Sequence, residues 1–181
     1  MKLAIRLLRI NELRAAGQHI ERHAQESGRV GDIVFAPFHD LDREAYEEAR
    51  HDSWRRAIDA PGWERCFGAF DDERMVAHVD LTGGTLYSSL HRARLGIGVE
   101  RAYRGAGTGS ALLNSVLAWA RKERSLAWVD LSVFAHNQRA LLLYERFGFL
   151  EVGRMTDAYR MGELHIDDIL MALPLHPDRE S

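Results

Sequence analysis

One cysteine, Cys66, stands in 181 residues. No internal disulfide can form, so a fold stapled by such bridges is excluded and a reducing compartment is expected. Cys66 lies in an apolar run and reads as a core residue rather than a nucleophile. No apolar run approaches the roughly 20 residues that a membrane-spanning helix needs. Met1 to Arg6 is interrupted by charge and carries no cleavage pattern, which argues against a secretion signal. The expectation is a soluble, cytoplasmic chain with no membrane partner. There is no internal repeat, low-complexity tract or linker, so residues 1–181 read as one domain with an ordinary hydrophobic share of 46%. The net charge of −3 supplies no global field for a polyanion, so nucleic acid is not an expected partner.

Positive charge is local instead. From residue 92 to 104, Arg92, Arg94, Arg101 and Arg104 face one acid, Glu100. That sign suits a coenzyme bearing several phosphates, or marks a solvated basic edge. Within this segment, Leu95 to Ser110 reads as a strand, a turn packed with glycine, and the start of a helix. Gly105, Gly107 and Gly109 alternate where turn becomes helix. Glycine permits unusual dihedrals and close approach of a ligand. The first amides of a helix lack internal partners and lie at the positive end of its dipole. Together they form an anion cradle, most often for phosphate, and Arg104 adds a cation that can fork onto phosphate oxygens. The plain alternative is a strand-to-helix turn that merely needs glycines. Two known phosphate patterns fail. Gly109 is followed by Ser110 with no lysine, which excludes the P-loop ending. The spacing of Gly105, Gly107 and Gly109, and of Gly96 and Gly98 before Arg101, misses the dinucleotide fingerprint. The pattern that fits is R-x-x-G-x-G, from Arg104 to Gly109.

The remaining elements follow from periodicity. Leu3 to Ile10 reads as a strand, and Asn11 as the cap of a helix carrying Leu13, Ala16, Ile20 and Ala24. Val30 to His39 reads as a loop. Asp40 or Asp42 caps a second helix that includes Ala45, Ala49, Ala57 and Ile58 to Ala60 and stops at Pro61-Gly62. Trp63–Phe70 and Met75–Leu81 form a strand pair; in the second, Met75, Ala77, Val79 and Leu81 share one face and Val76, His78 and Asp80 the other. His91 to Val99 feeds the glycine turn. Leu112, Leu113, Val116, Leu117 and Ala120 line one side of the helix after it, which closes at Arg121 and Lys122. Ala127 to Phe134 is another strand. Asn137 opens a helix that ends at Phe147-Gly148-Phe149. Strands at about Leu150–Tyr159 and His165–Leu173 complete a mixed α+β chain, with Pro174 and Pro177 marking a frayed tail.

Asn137 and Tyr144 stand seven residues apart on one helix, so they share a face two turns apart. The block from Asn137 through Ala140 and Tyr144 to Gly148-Phe149, placed one helix and one strand after R-x-x-G-x-G, resembles the second signature of the GNAT superfamily of N-acetyltransferases. The first signature is the glycine turn itself, preceded by an apolar strand end like Ile97-Gly98-Val99. The resemblance spans roughly Leu95 to Val152, and Asp167–Leu173 is similar to the last strand of many members. It implies an α/β/α fold in the α+β class: a mixed, mostly antiparallel sheet of six to seven strands with a splayed central pair, flanked by about four helices. It implies acetyl-CoA as co-substrate, with no metal. The pantetheine arm would pair with backbone around Ile97, Gly98 and Val99. The pyrophosphate would sit on amides from Arg104 through Gly105, Ala106, Gly107 and Thr108 to Gly109. Asn137 would bond the pantetheine side, and Tyr144 would protonate the departing thiolate. The implied reaction is direct attack on the thioester by a primary amine of a small molecule, amino acid or peptide, with the Val99 amide polarising the carbonyl. A GNAT-fold sensor or scaffold that holds acyl-CoA without turnover is the alternative. A homodimer is among the assemblies left open.

The proton acceptor is not where subgroups of the family keep it. Histone-type members carry a glutamate at the position of Ala93, and those acting on ribosomal-protein N-termini carry one at Ser132. The remaining candidates are His78, Asp80, His91 and Asp130, or water. Glu100 is expected at the surface. Phe35, Phe38, His39, Tyr159, Arg160 and Met161 fall where members line the acceptor site, or else cap the core.

Overall fold

The computed structural model describes residues 3–27, 33–35 and 41–176. Phe38, His39, Asp40 and Pro177, singled out above, lie outside that range. Seven strands form one sheet: β1 (Ala4–Leu7), β2 (Glu64–Asp71), β3 (Arg74–Gly83), β4 (Arg92–Val99), β5 (Trp128–Phe134), β6 (Leu150–Met161) and β7 (Leu164–Pro174). Their order is β1-β2-β3-β4-β5-β7-β6. Four helices accompany them: α1 (Leu13–Ala24), α2 (Arg43–Ser53), α3 (Thr108–Ala120) and α4 (Gln138–Arg146). β4 and β5 are parallel, and the other neighbouring pairs are antiparallel. The parallel pair is joined by α3, the crossover that such a pair requires.

That central pair is the splayed one. Its ladder matches Arg92, Ala93 and Arg94 with Trp128, Val129 and Asp130 and goes no further. β4 remains paired with β3 up to Val99, and β5 with β7 up to Phe134. Each strand therefore keeps one partner while the two part from each other.

The two faces of the sheet are covered differently. Leu112, Leu113, Val116, Leu117 and Ala120 of α3 are fully buried against Ala77, Val79, Leu81, Leu95, Val129 and Leu131. On the other face a smaller cluster joins Leu8, Ala16, Cys66, Phe70 and Met75. Met75 departs from the alternation expected of it. The β2–β3 register slips where Ala69 pairs with Ala77 but Phe70 with Met75. This bulge turns Met75 toward α1, away from the face that holds Ala77. Cys66 is buried, as its neighbours suggested.

Several boundaries differ from the sequence reading. β1 stops at Leu7, and Asn11 lies in a 3-10 turn, Ile10–Glu12, without capping α1. Asp42 does cap α2, accepting from the Ala45 amide at 3.1 Å. That helix ends at Ser53, well before Pro61, and the Arg65 guanidinium takes the Trp54 and Arg56 carbonyls beyond it at 3.2 and 2.8 Å. Carbonyls left without helical partners are thus satisfied by a side chain from β2.

Leu113 tests how far the fold rests on the α3 face. Leu113→Ala removes a side chain with no exposed surface and should cost about 2–5 kcal/mol. Urea unfolding followed by tryptophan fluorescence reads this as a lower midpoint at unchanged slope.

Candidate active site

The open edge of β4 is the first component. The Glu100 amide donates to the Val76 carbonyl at 3.0 Å. Main-chain groups alternate sides along a strand, so Gly98 and Gly96 also turn toward β3, and Ile97 and Val99 turn toward β5. β5 is no longer there to receive them. The Val99 carbonyl is instead satisfied by Arg104 Nε at 2.7 Å. An edge of this kind suits an extended arm that carries amide groups of its own.

The glycine turn follows directly. Residues 101–103 form a single 3-10 turn, and α3 starts at Thr108. Gly105 and Gly107 both adopt φ +85°, a left-handed conformation that favours glycine. Gly107 occupies the cap position and has no side chain to bond the first amides. The Ala111 amide bonds back to the Gly107 carbonyl at 3.0 Å, so the amides of Thr108, Gly109 and Ser110 precede the helical ladder. The Thr108 hydroxyl closes the turn by donating to the Tyr103 carbonyl at 2.9 Å. This is the donor-rich helix start that an anion occupies.

Arg104 faces inward in this arrangement. Besides the Val99 carbonyl it pairs with Glu26 Oε2 at 2.7 Å. The cation at the turn is Arg139, which sequence reasoning passed over. A Cβ built on Gly105 would lie 3.3 Å from its guanidinium. Arg139 is exposed and makes no ion pair among the described residues. The available signal was its position two residues into the Asn137 helix. Gly109 is where the parts meet: a Cβ there would lie 3.2 Å from Leu143 Cδ2 of α4 and 4.0 Å from Ile97 Cδ1 of β4.

Asn137 caps α4, accepting from the Ala140 amide at 3.2 Å, while its Nδ2 donates to the Val34 carbonyl at 3.1 Å. Both polar ends of the amide are therefore in use. Tyr144 is buried edge-on against Phe149, with ring centroids 5.9 Å apart. Burial pushes its phenol up to about 12, and its hydroxyl makes no hydrogen bond among the described residues.

The opposite face of β3 and β4 is polar. His78 and Asp80 point there, over Gly98 and Gly96. A Cβ on Gly96 would lie 2.9 Å from Asp80 Oδ1, and one on Gly98 would collide with the His78 ring and lie 2.6 Å from His23 Nε2. These glycines make room for side chains, not for a phosphate. Burial, and then the neighbouring Glu64, raise the Asp80 carboxyl to about 7. Burial, with His19 and His23 adding to it, holds His78 well below the usual histidine value. Burial and His19 lower His23 to about 3.

Glu100 is buried, contrary to the expectation of a surface residue. It accepts from Arg22 Nε at 3.0 Å and from Arg74 at 2.6 Å, and lies 3.0 Å from His19 Nδ1. Burial alone would raise its carboxyl; the His19 bond and the Arg22 charge outweigh that and hold it below the usual value. The missed signal was a polar stripe on α1 and the turn after it: His19, Arg22, His23 and Glu26 recur at helical spacing.

The other candidates scatter. His91 is exposed ahead of β4, and Asp130 is engaged by both Arg92 Nε, at 2.7 Å, and its terminal nitrogen. Phe35 stacks on His23 at 4.4 Å and Tyr159 packs on Phe134 at 5.1 Å. Arg160 is held by Asp157, and Met161 ends β6. Among the described residues, no three His, Cys, Asp or Glu side chains are disposed to hold a metal ion, and no helix is long and apolar enough to cross a membrane.

Asp80 offers a test by pH. Its folded value near 7 lies above its ordinary 3.8, so between those values the folded state keeps a proton that the unfolded chain has lost. Its contribution to stability is therefore full below pH 4 and is lost as pH rises toward 7. The stability of Asp80→Asn relative to the parent should rise across that window, by up to about 4 kcal/mol. Urea midpoints at pH 4, 5.5 and 7.5 measure it.

Comparison with known proteins agrees with this fold. The model of the acetyltransferase (GNAT) family matches residues 35–149. YdaF of Bacillus subtilis (strain 168) is 25% identical over 92% of this chain and 89% of its own length. The L-amino acid N-acetyltransferase AaaT of Escherichia coli (strain K12) is 27% identical over 60% of this chain and 73% of its own. Among solved structures, a GNAT acetyltransferase from Streptococcus pneumoniae superposes with a TM-score of 0.81 at 22% identity, covering 96% of this chain and 99% of that one. The yncA structure from Salmonella typhimurium, solved with its cofactor acetyl-CoA, gives 0.78 at 14% identity over 100% and 97%. The fold described above superposes on these solved structures over nearly its whole length, and this chain belongs to the acetyltransferase (GNAT) family.

Proposed function

We propose that the protein is an acetyl-CoA-dependent N-acetyltransferase in which a primary amine attacks the thioester directly. The observation that carries this reading is the meeting, at Gly109, of the open β4 edge with the unpaired amides at the start of α3. When bound, acetyl-CoA supplies the activated acetyl group. The chain's own residues supply position and charge. Amides from Gly105, Ala106, Gly107, Thr108 and Gly109, with Arg139 beside them, take the diphosphate. Arg104 acts behind them by fixing Val99 to Glu26. Ile97 and Val99 offer main-chain groups to the pantetheine arm, and Gly98 between them leaves the other face to the rings of His78 and His23. The Val99 amide is placed to polarise the carbonyl that the amine attacks. Asn137 sets the start of α4, and hence the line along which Tyr144 points. Tyr144 stays protonated across the physiological range and serves as donor to the departing thiolate.

The acceptor side is the polar face with His78, Asp80 and Phe35. A free amino group is the acceptor class that the relatives' names support, AaaT for L-amino acids and the RimI N-alpha-acetyltransferase of Mycobacterium tuberculosis, 37% identical over 44% of this chain.

A panel of L-amino acids, polyamines, aminoglycosides and short peptides, assayed with acetyl-CoA for thiol release, tests the proposal. Turnover of one amine class is the expected result; coenzyme binding without turnover of any amine would favour the sensor reading. Tyr144→Phe should lower kcat about 100-fold or more while the KM for acetyl-CoA stays near the parent value. Arg139→Ala should do the reverse, raising that KM at little cost in kcat. Calorimetric titration of both variants with CoA separates the two effects.

A further inference from the structure

A line of side chains runs from the surface to the acceptor face. Glu100 is buried and bound by two arginines, Arg22 and Arg74. His19, with no exposed surface, lies between it and β3: its Nδ1 is 3.0 Å from Glu100 Oε1 and its Nε2 is 2.9 Å from His78 Nδ1. An ionised carboxylate can only accept, so His19 carries a hydrogen on Nδ1, and in its neutral ring Nε2 is then an acceptor. In that state His78 donates from Nδ1, and its Nε2 is left with a free lone pair. That nitrogen lies 3.8 Å from Asp80 Oδ1, outside hydrogen-bond distance. The His78 ring lies over Gly98, in the space a side chain there would fill. Gly98 is its partner in the β3–β4 register, and Val99 is the next residue on the open edge.

We infer that His78 is the catalytic base, with His19 and Glu100 as positioning residues that fix its tautomer and carry its proton away. This rests on the acetyl-transfer reading above. As the amine nitrogen forms its bond to the acetyl carbon, its N–H bond breaks and the proton goes to His78 Nε2. The hydrogen on His78 Nδ1 passes to His19 Nε2, and the positive charge comes to rest on the ring that faces Glu100. The electron pair of the broken C–S bond leaves on sulfur, which takes its proton from Tyr144. Amine and thioester become amide and thiol, with no change of oxidation state. Asp80 is the rival on the same strand, but it lies two rungs further from Val99, over Gly96. His23 also reaches Gly98, yet its Nδ1 is buried with no hydrogen-bond partner among the described residues and it does not join the line.

The charged and titratable groups around the His78 ring are His19 and His23 from α1, Arg50 from α2 and Asp80 from β3; Glu100 acts through His19. Three measurements decide the matter. In protein labelled with ¹⁵N-histidine at pH 7, without coenzyme or acceptor, long-range ¹H–¹⁵N correlation should show both His19 and His78 protonated at Nδ1 and bare at Nε2. The His78 signals are identified by their absence from His78→Gln. A hydrogen on His78 Nε2 would overturn the proposal, and this arm needs no acceptor, so it stands apart from the fate of the amine panel. With the panel amine turned over fastest, His78→Gln should lower kcat about 100-fold or more and further than Asp80→Asn does; the opposite ranking transfers the role to Asp80. Glu100→Gln should keep partial activity and move the acid limb of the kcat profile to lower pH, because loss of the charge behind His19 weakens the base. An unmoved limb would remove Glu100 from the mechanism.

Discussion

The parting of β4 from β5 after the Arg94–Asp130 rung is the constraint on which the site depends. A sheet that opens in its middle exposes main-chain donors and acceptors, and buried groups of this kind are costly unless paired. The paired end is fastened by side chains: Arg92 grips Asp130 across the two strands, and its guanidinium lies 4.9 Å from the centre of the Trp128 ring. At the parted end, Arg104 closes the Val99 carbonyl and ties it through Glu26 to the end of α1. What is left over, both main-chain groups of Ile97 and the Val99 amide, is the part that the proposed coenzyme arm would pair with. The opening is thus bounded on both sides, and its size is set by three rungs of ladder on one side and one arginine on the other.

The two sides of the opening are chemically unlike because β4 alternates. Its odd residues, Ala93, Leu95 and Ile97, face the apolar layer of α3 and α4. Its even residues, Arg94, Gly96 and Gly98, face α1 and the polar side chains of β3. A strand with two glycines is weakened in itself. Here the lost side chains are replaced by the carboxylate of Asp80 and the rings of His78 and His23, which occupy their space. Burying that many polar groups is unfavourable unless each is matched. Glu100 is matched by two arginines and a histidine, and His19 by a partner on each nitrogen. Such matching restrains α1 against the sheet at a point where the apolar cluster is small.

Features set by local rules were legible in the sequence. The glycine turn, the Asn137 and Asp42 caps, the buried stripe of α3 and the order of the last strands all follow from spacing within a few residues, and the structure shows each of them. Features set by distant partners were not. Glu100 looked like a turn residue, and it is buried because His19 and Arg22 reach it from about 80 positions away in the chain. Arg104 looked like a free cation beside its glycines, and Glu26 holds it. Met75 kept the period of its strand on paper, but one bulge in the pairing with β2 reverses its side. In each instance the sequence carried the residue and the fold supplied the partner.

The place of the base follows from the same alternation. A glutamate at position 93, where histone-type members carry it, would here enter the apolar layer, since Ala93 is 1% exposed and packs with the α3 cluster. It would be a buried carboxyl without a partner, which this face cannot support. At position 132 the serine is already within 3.4 Å of Arg94, and its bond to Asp168 partly offsets the rise that burial imposes on that carboxyl. Neither β4 nor β5 therefore has room for a free acceptor of protons beside Val99. β3 does, because the glycines of β4 let its side chains cross over toward the opening. The lack of a glutamate at 93 and 132 and the presence of Gly96 and Gly98 are in this sense one arrangement: the strand without a base has no side chains at 96 and 98, and those of the next strand occupy their space.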